Sequence, residues 1–347
     1  MPTRDTTDLP PEALTLLWAA RETGVVDAVT TDAGTPEAVA DAADVTEQTA
    51  RVAVRSLAEL GFLRRVGEEY EPTNRALGLL AKRDVRSIGR LPHALDVQRY
   101  LRALPETMRT GDPPDEPPDW TRNRLGAVEA TDEATVRACV TAAIREAPDA
   151  ERVLDVRGGS GRYAREVVAR GRSATLFESS EVCGVVAPLL APTDVSLVAG
   201  DLDSPPVTDP ATDDPFDLAL TVDLLRRLDP DSARALFAGL AEVLAPEGCV
   251  VLLDAFRELA DADSAGSASA TDSEGQTPVG ADVGVDPAVG AGVACEQLAL
   301  GSGDAHATAQ VCAWLSSPTD GVGFEEVTAR RVPGTARVAV IGRGPYS

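Results

Sequence analysis

The sequence predicts an α/β protein, a doubly wound and mostly parallel sheet preceded by an all-helical, winged-helix domain. Three observations predict it. Short apolar strands alternate with amphipathic helices over residues 151–257. Within that stretch, VLDVRGGSGRYAREV (residues 153–167) reads as a strand, a glycine turn and the start of a helix. Upstream, residues 12–80 read as helices with one break, followed by two short strands around Gly67.

The N-terminal elements follow from their caps and faces. PEALTLLWAARETGVVDAV sets Leu14, Leu17, Trp18, Val25 and Val29 near one face. Thr35 caps a short helix with Pro36 at its first position, and that helix ends near Ala43. Thr46 caps a second helix with Ala50, Ala53, Val54, Leu57 and Leu60 on one face, and Gly61 stops it. FLRRVGEEYEPT then forms the wing. Such a module serves either DNA binding or dimerisation. Arg51, Arg55, Arg64 and Arg65 are outnumbered by Asp41, Asp44, Glu47, Glu59, Glu68, Glu69 and Glu71, whereas DNA-binding wings are net basic. Dimerisation is the expectation, and a nucleic-acid partner is not.

Residues 84–150 read as a helical connector interrupted by DPPDEPPD, an exposed polyproline-like loop. In residues 151–257 the strands are RVLDV, SATLFE, VSLVAGD, FDLALTVD and CVVLLDAF. Residues 258–295 are rich in Ala, Gly, Ser and Asp, and no Lys or Arg occurs from Glu258 to Ala329. So few large apolar side chains predict a disordered acidic insertion. One helix and two strands then close the sheet with a hairpin. The implied domains are 1–83, 84–150 and 151–347.

Composition narrows the function classes. The 347 residues suffice for two domains. The hydrophobic fraction of 44% fills their cores with Ala, Val and Leu, since aromatics are only 4%. Acidic residues number 56 against 32 basic ones, for a net charge of -24, and Lys82 is the only lysine. That surface repels phosphate backbones and anionic membranes and suits a salt-rich cytoplasm, where self-repulsion is screened. Cys139, Cys183, Cys249, Cys295 and Cys312 lack CxxC spacing and are joined by only His93 and His306, so no metal site is expected. No signal-peptide core opens the chain, and no apolar run approaches the ~20 residues that span a bilayer. The expected location is cytoplasmic.

Ligands of doubly wound sheets sit beyond the carboxyl ends of the strands, where strand order switches. Four strand ends carry suitable residues. Gly158, Gly159 and Gly161 leave room for a cofactor near the backbone, and the next helix presents free N–H groups. Asp155 ends the first strand. Glu178 ends the second, about twenty residues on, where a carboxylate takes ribose hydroxyls. Asp201 and Leu202 follow the third strand beside a bound base, and Asp223 ends the fourth beneath the ligand.

With these residues in view, the chain resembles class I S-adenosylmethionine-dependent methyltransferases of the O-methyltransferase type with an N-terminal winged-helix dimerisation domain. VLDVRGGSGRYAREV, ATLFESSEV, VAGDLDSPP, FDLALTVDLLRRLDPDSARALFAGLAEVLAPEGCVVLLDAF and GFEEV carry the resemblance. It implies S-adenosylmethionine as cofactor. Asp155, Gly158, Gly159 and Gly161 would hold its methionine part, Glu178 the ribose, and Asp201 with Leu202 the adenine. It also implies a small-molecule acceptor and a homodimer. A nicotinamide-dependent dehydrogenase fits the winged helix and closing hairpin less well.

Two positions depart from the family. Arg157 stands where the turn usually begins with glycine. It can offer a cation to the cofactor, obstruct the site, or point to solvent. Arg226 stands where the family places a catalytic histidine, and an arginine stays protonated near neutral pH. An acidic acceptor would need no base, and Arg226 could hold it by a charge-assisted contact. His93 and His306 are either alternative bases or solvated surface groups. The competing functions are an impaired methyltransferase paralogue and a winged-helix regulator with a ligand-sensing domain.

Overall fold

The computed structural model describes residues 9–31, 33–79, 85–202, 205, 208–210, 212–257, 286–316 and 322–346. The chain divides into two units, Met1–Glu106 with Pro113–Thr131, and Thr107–Asp112 with Asp132–Ser347.

The first unit begins with α1 (Pro11–Glu22), α2 (Val25–Thr31), α3 (Pro36–Ala43) and α4 (Glu47–Glu59). The wing is β1 (Leu63–Val66) with β2 (Glu69–Pro72), followed by α5 (Asn74–Leu79), α6 (Val85–Ile88), α7 (Leu91–Thr110) and α8 (Trp120–Glu129). The two expected caps form. Thr35 accepts from the Ala38 N–H and Thr46 from the Thr49 N–H, each at 3.2 Å. Ala50, Ala53, Val54 and Leu57 are buried, and Leu60 is half-buried. Gly67 turns the wing at a φ of 66°, in the left-handed region glycine reaches without strain. The core joins Leu17, Val39, Val54, Leu57 and Phe62, and each such burial stabilises by roughly 1.5–3 kcal/mol. Of the exposed arginines, Arg51 pairs with Glu47 and Arg64 with Glu71, while Arg65 donates to the Gly67 carbonyl.

The second unit runs α9 (Glu133–Glu146), β3 (Arg152–Val156), α10 (Arg162–Ala169), β4 (Ser173–Glu178), α11 (Ser180–Leu190), β5 (Val195–Ala199) and β6 (Phe216–Val222). A 3₁₀ turn at Leu225–Arg227 leads to α12 (Pro230–Val243), β7 (Leu244–Asp254), α13 (Pro287–Leu300), α14 (Thr308–Ser316), β8 (Gly323–Arg331) and β9 (Val338–Tyr346). The seven strands lie in the order β5-β4-β3-β6-β7-β9-β8. Strands β3 to β7 pair in parallel, and β9 is antiparallel to both β7 and β8. The fold class read from the sequence is therefore the one observed, including the closing hairpin. Strand order reverses between β3 and β6, so the switch point lies above their carboxyl ends. Val153, Leu154, Leu218, Ala219 and Leu220 are fully buried, as expected of strands covered on both faces.

The insertion read as 258–295 needs correction at its end. Residues 286–295 are ordered, and α13 starts with Asp286 accepting from the Ala288 N–H and Pro287 in the first turn. Large apolar residues are scarce there, but small ones allow close packing. Gly290 lies so near Arg257 that a Cβ would sit 3.0 Å from that side chain. Residues 258–285 lie outside the described residues.

Candidate functional site

A carboxyl group in the middle of a dry sheet needs a reason. Asp155 is wholly buried in β3. One oxygen accepts from the Ala164 N–H in the first turn of α10 at 3.1 Å, and the other, Oδ1, has no partner among the described residues. The side chain lies directly under the glycine turn, and a Cβ on Gly158 would meet its carboxyl atoms at 2.2 to 2.4 Å. Gly158 is thus required by a neighbour within the protein. Gly159 and Gly161 are required by backbone conformation, with φ of 67° and 73°. Burial lifts the Asp155 carboxyl to about 7; the Ala164 N–H works against this, and the charge of Glu178 adds to it.

Glu178 closes β4 and is 2% exposed. Its Oε1 accepts from the Gly159 N–H at 2.9 Å and its Oε2 from the Ser179 N–H at 3.1 Å. The glycine turn and the tip of β4 are therefore tied together by a side chain that the sequence assigned to a ligand. Beyond β5, Asp201 is exposed, and Leu202 is half-buried against the core.

Arg157 adopts a φ of 57°, in the left-handed region that residues other than glycine enter at a cost. Its side chain does not point to solvent. The guanidinium lies 5.3 Å from the centroid of the Phe177 ring, Nη2 donates to the Gly200 carbonyl at 3.1 Å, and Nη1 stands 3.5 Å from Glu178 Oε2.

On the other side of the switch point, Asp223 follows β6 and also has a φ of 57°. Two non-glycine residues in the left-handed region thus flank the crevice. Arg337, just before β9, grips Asp223 with Nε at 2.9 Å and Nη2 at 2.5 Å. Arg226 contacts Asp223 with Nη2 and gives its Nε to Asp254 Oδ1 at 2.6 Å. Burial pushes the Asp223 carboxyl up, but the guanidinium groups of Arg226 and Arg337 outweigh it and hold the group below the usual carboxylate range. Arg226 is raised in turn. Its desolvation is more than offset by Asp254 and Asp223. Its charge is therefore already met twice by protein.

The 3₁₀ turn carrying Arg226 is covered from above. With the Gln297 amide turned so that its nitrogen faces the carbonyls, it donates to the Arg226 carbonyl at 3.1 Å and to the Ser302 carbonyl at 3.2 Å. A Cβ on Gly303 would fall 2.0 Å from the Arg226 carbonyl oxygen. His306 is not a solvated surface group: it is 5% exposed, its Nε2 lies 2.8 Å from the Leu228 carbonyl, and its ring meets Trp314 edge-on at 5.0 Å. His93 belongs to the first unit, where its ring lies 4.8 Å from that of Trp120.

The structure thus gathers Asp155, Gly158, Gly159, Gly161 and Glu178 at one side of the switch point, with Asp223 and Arg226 at the other. Sequence reasoning missed Asp254 and Arg337. Asp254 ends β7 as Asp223 follows β6, both acids at strand ends, and could have been found by the same rule; Arg337 has no local signal. Cys139, Cys183, Cys249, Cys295 and Cys312 are free, and no metal-binding cluster of His, Cys, Asp and Glu occurs among the described residues.

No family model matches the sequence, and no curated protein matches it. Solved structures do. Human N-acetylserotonin methyltransferase in complex with SAM is 18% identical, with 96% of this chain and 94% of that one covered and a TM-score of 0.61. The mitomycin 7-O-methyltransferase MmcR is 19% identical over 96% and 94%, with a TM-score of 0.60. PigF with SAH is 13% identical over 95% of each chain, with a TM-score of 0.65. Over nearly its whole length, this chain has the fold of these three proteins, the first two of them methyltransferases.

Proposed function

We propose that this chain transfers a methyl group from S-adenosylmethionine to a small-molecule acceptor with an oxygen nucleophile. The observation that carries the reading is the glycine turn at the switch point, with Asp155 beneath it and Glu178 locked to it, on a sheet that shares its fold with the methyltransferases above.

The residues suit the cofactor in kind. The turn and the start of α10 offer backbone N–H groups to a carboxylate, and Glu178 offers a carboxylate to a ribose diol. Asp201 and Leu202 stand at the adjoining strand end for the adenine. Asp223 completes the floor. Arg157 is the one side chain at odds with this set, and it is long and flexible. When bound, the cofactor supplies an electrophilic sulfonium methyl. The protein's part is alignment of that methyl with the acceptor oxygen.

The position of the usual base is taken by Arg226, which cannot accept a proton. We assign Arg226 as a strap joining the ends of β6 and β7 through Asp223 and Asp254, at the place the family gives to catalysis. The acceptor class that follows is an oxygen already ionised near neutral pH, a carboxylate or an acidic phenol. We further propose a cytoplasmic homodimer formed through residues 1–110, with no nucleic-acid partner. The pairing of Arg51 and Arg64 with glutamates supports the last point. No helix among the described residues is long and apolar enough to cross a membrane.

Equilibrium dialysis of methyl-labelled S-adenosylmethionine against the full chain tests the cofactor. Saturable uptake, displaced by S-adenosylhomocysteine, is the expected result. A panel of carboxylic acids and acidic phenols, read by release of S-adenosylhomocysteine, then tests the acceptor class. Absence of uptake by both the wild type and R157G at millimolar cofactor would overturn the reading.

A further inference from the structure

We infer that Arg157 determines what the nucleoside end of this site admits. Its guanidinium occupies the place on Glu178 that a ribose diol requires, and an adenosyl ligand enters only by displacing it. The inference rests on the methyl-donor reading above, since it concerns that same site.

The geometry is specific. Three contacts hold the guanidinium over the tip of β4: the Phe177 ring face, the Gly200 carbonyl at 3.1 Å, and Glu178 Oε2 at 3.5 Å. The backbone below is fixed as well, because the Arg157 N–H donates to the Phe177 carbonyl at 2.9 Å. The side chain is 17% exposed, so its neighbours cover most of it. A strand-end carboxylate about twenty residues after a glycine turn is placed to receive ribose hydroxyls. On Glu178, Oε1 accepts from the Gly159 N–H and Oε2 from the Ser179 N–H, and the same Oε2 faces the Arg157 guanidinium. A carboxylate has about four accepting positions, so a diol and a guanidinium compete for what remains.

Backbone conformation adds to this. Arginine at a φ of 57° is strained, whereas glycine is not. Arg157→Gly therefore removes the competitor and relaxes the turn together. Arg157→Asn keeps a residue that tolerates the left-handed region but is too short to reach Gly200 or Glu178.

The experiment is calorimetry on the full-length wild type, R157G and R157N. The ligands are S-adenosylhomocysteine and 5′-methylthioadenosine, and thermal melting of each ligand-free protein serves as a fold control. Both variants are expected to bind both ligands at least about tenfold more tightly than the wild type, and by a similar factor for each. The factors should agree because the change acts at the nucleoside end that the two ligands share. Equal affinity in wild type and variants would overturn the role of Arg157 and leave the methyl-donor reading standing. Weaker binding by the variants would also overturn it, showing that Arg157 contacts the ligand favourably. Gain for S-adenosylhomocysteine alone would move the effect to the amino-acid end and overturn the assignment to the nucleoside subsite. No binding by any folded protein would sink the methyl-donor reading itself.

Discussion

Replacing Asp155 by Asn isolates the energetic cost of a carboxyl buried under the glycine turn. The amide keeps the shape and can still accept from the Ala164 N–H, but it does not ionise. In the wild type, burial raises the carboxyl from its usual 3.8 to about 7. The folded state therefore holds a proton that the unfolded chain has already released. A raised carboxyl contributes its full stability below the unfolded value and loses it as pH rises through the folded one. Between pH 5 and 8 the loss runs at about 1.36 kcal/mol per pH unit until pH 7 and then levels off, roughly 2–3 kcal/mol in all. Urea unfolding of both proteins at fixed ionic strength and several pH values in that window measures it. The wild type should lose about 2–3 kcal/mol more than D155N as pH rises. A difference that stays constant from pH 5 to 8 would refute the reasoning, because Asp155 would then be ionised in the folded state.

Other outcomes follow from the same geometry. Gly158→Ala places a methyl against the Asp155 carboxyl and should lower stability by about 3 kcal/mol or more, with partial recovery in G158A/D155A, both read by thermal melting. Arg337→Ala removes the two-nitrogen grip on Asp223, leaving its contact with Arg226, and should cost about 1–3 kcal/mol near neutral pH. Because Asp223 is held below its usual value, that deficit should shrink as pH falls below about 4, which acid unfolding of wild type and variant would show. Gly303→Ala combines a φ of 63° with a clash on the Arg226 carbonyl and should cost about 2–3 kcal/mol. Hydrogen exchange at Arg227 and Leu228 should rise with it.

Strands β3 to β6 were legible because each is a short apolar run ended by a polar residue, and the glycine turn fixed which end faces a ligand. The caps at Thr35 and Thr46 were legible because capping is a local property. Long-range pairings were not. Arg337 meets Asp223 across 114 positions, and nothing near either residue announces it. The direction of the Arg157 side chain was equally hidden, since backbone conformation can be read from the turn but a rotamer is chosen by Phe177, Glu178 and Gly200 once they are assembled. The start of α13 was misread because glycine and alanine signal looseness in composition, yet here they let a helix approach Phe256 and Arg257 closely. His306 was misjudged for a related reason: its partners are the Leu228 carbonyl and Trp314, and neither is its sequence neighbour.

The guanidinium across Glu178 has a genetic corollary. Every arginine codon in the standard code lies one base change from a glycine codon. The closed form of the turn and its open form are therefore adjacent in mutational space, and a modest random library of this gene would contain both.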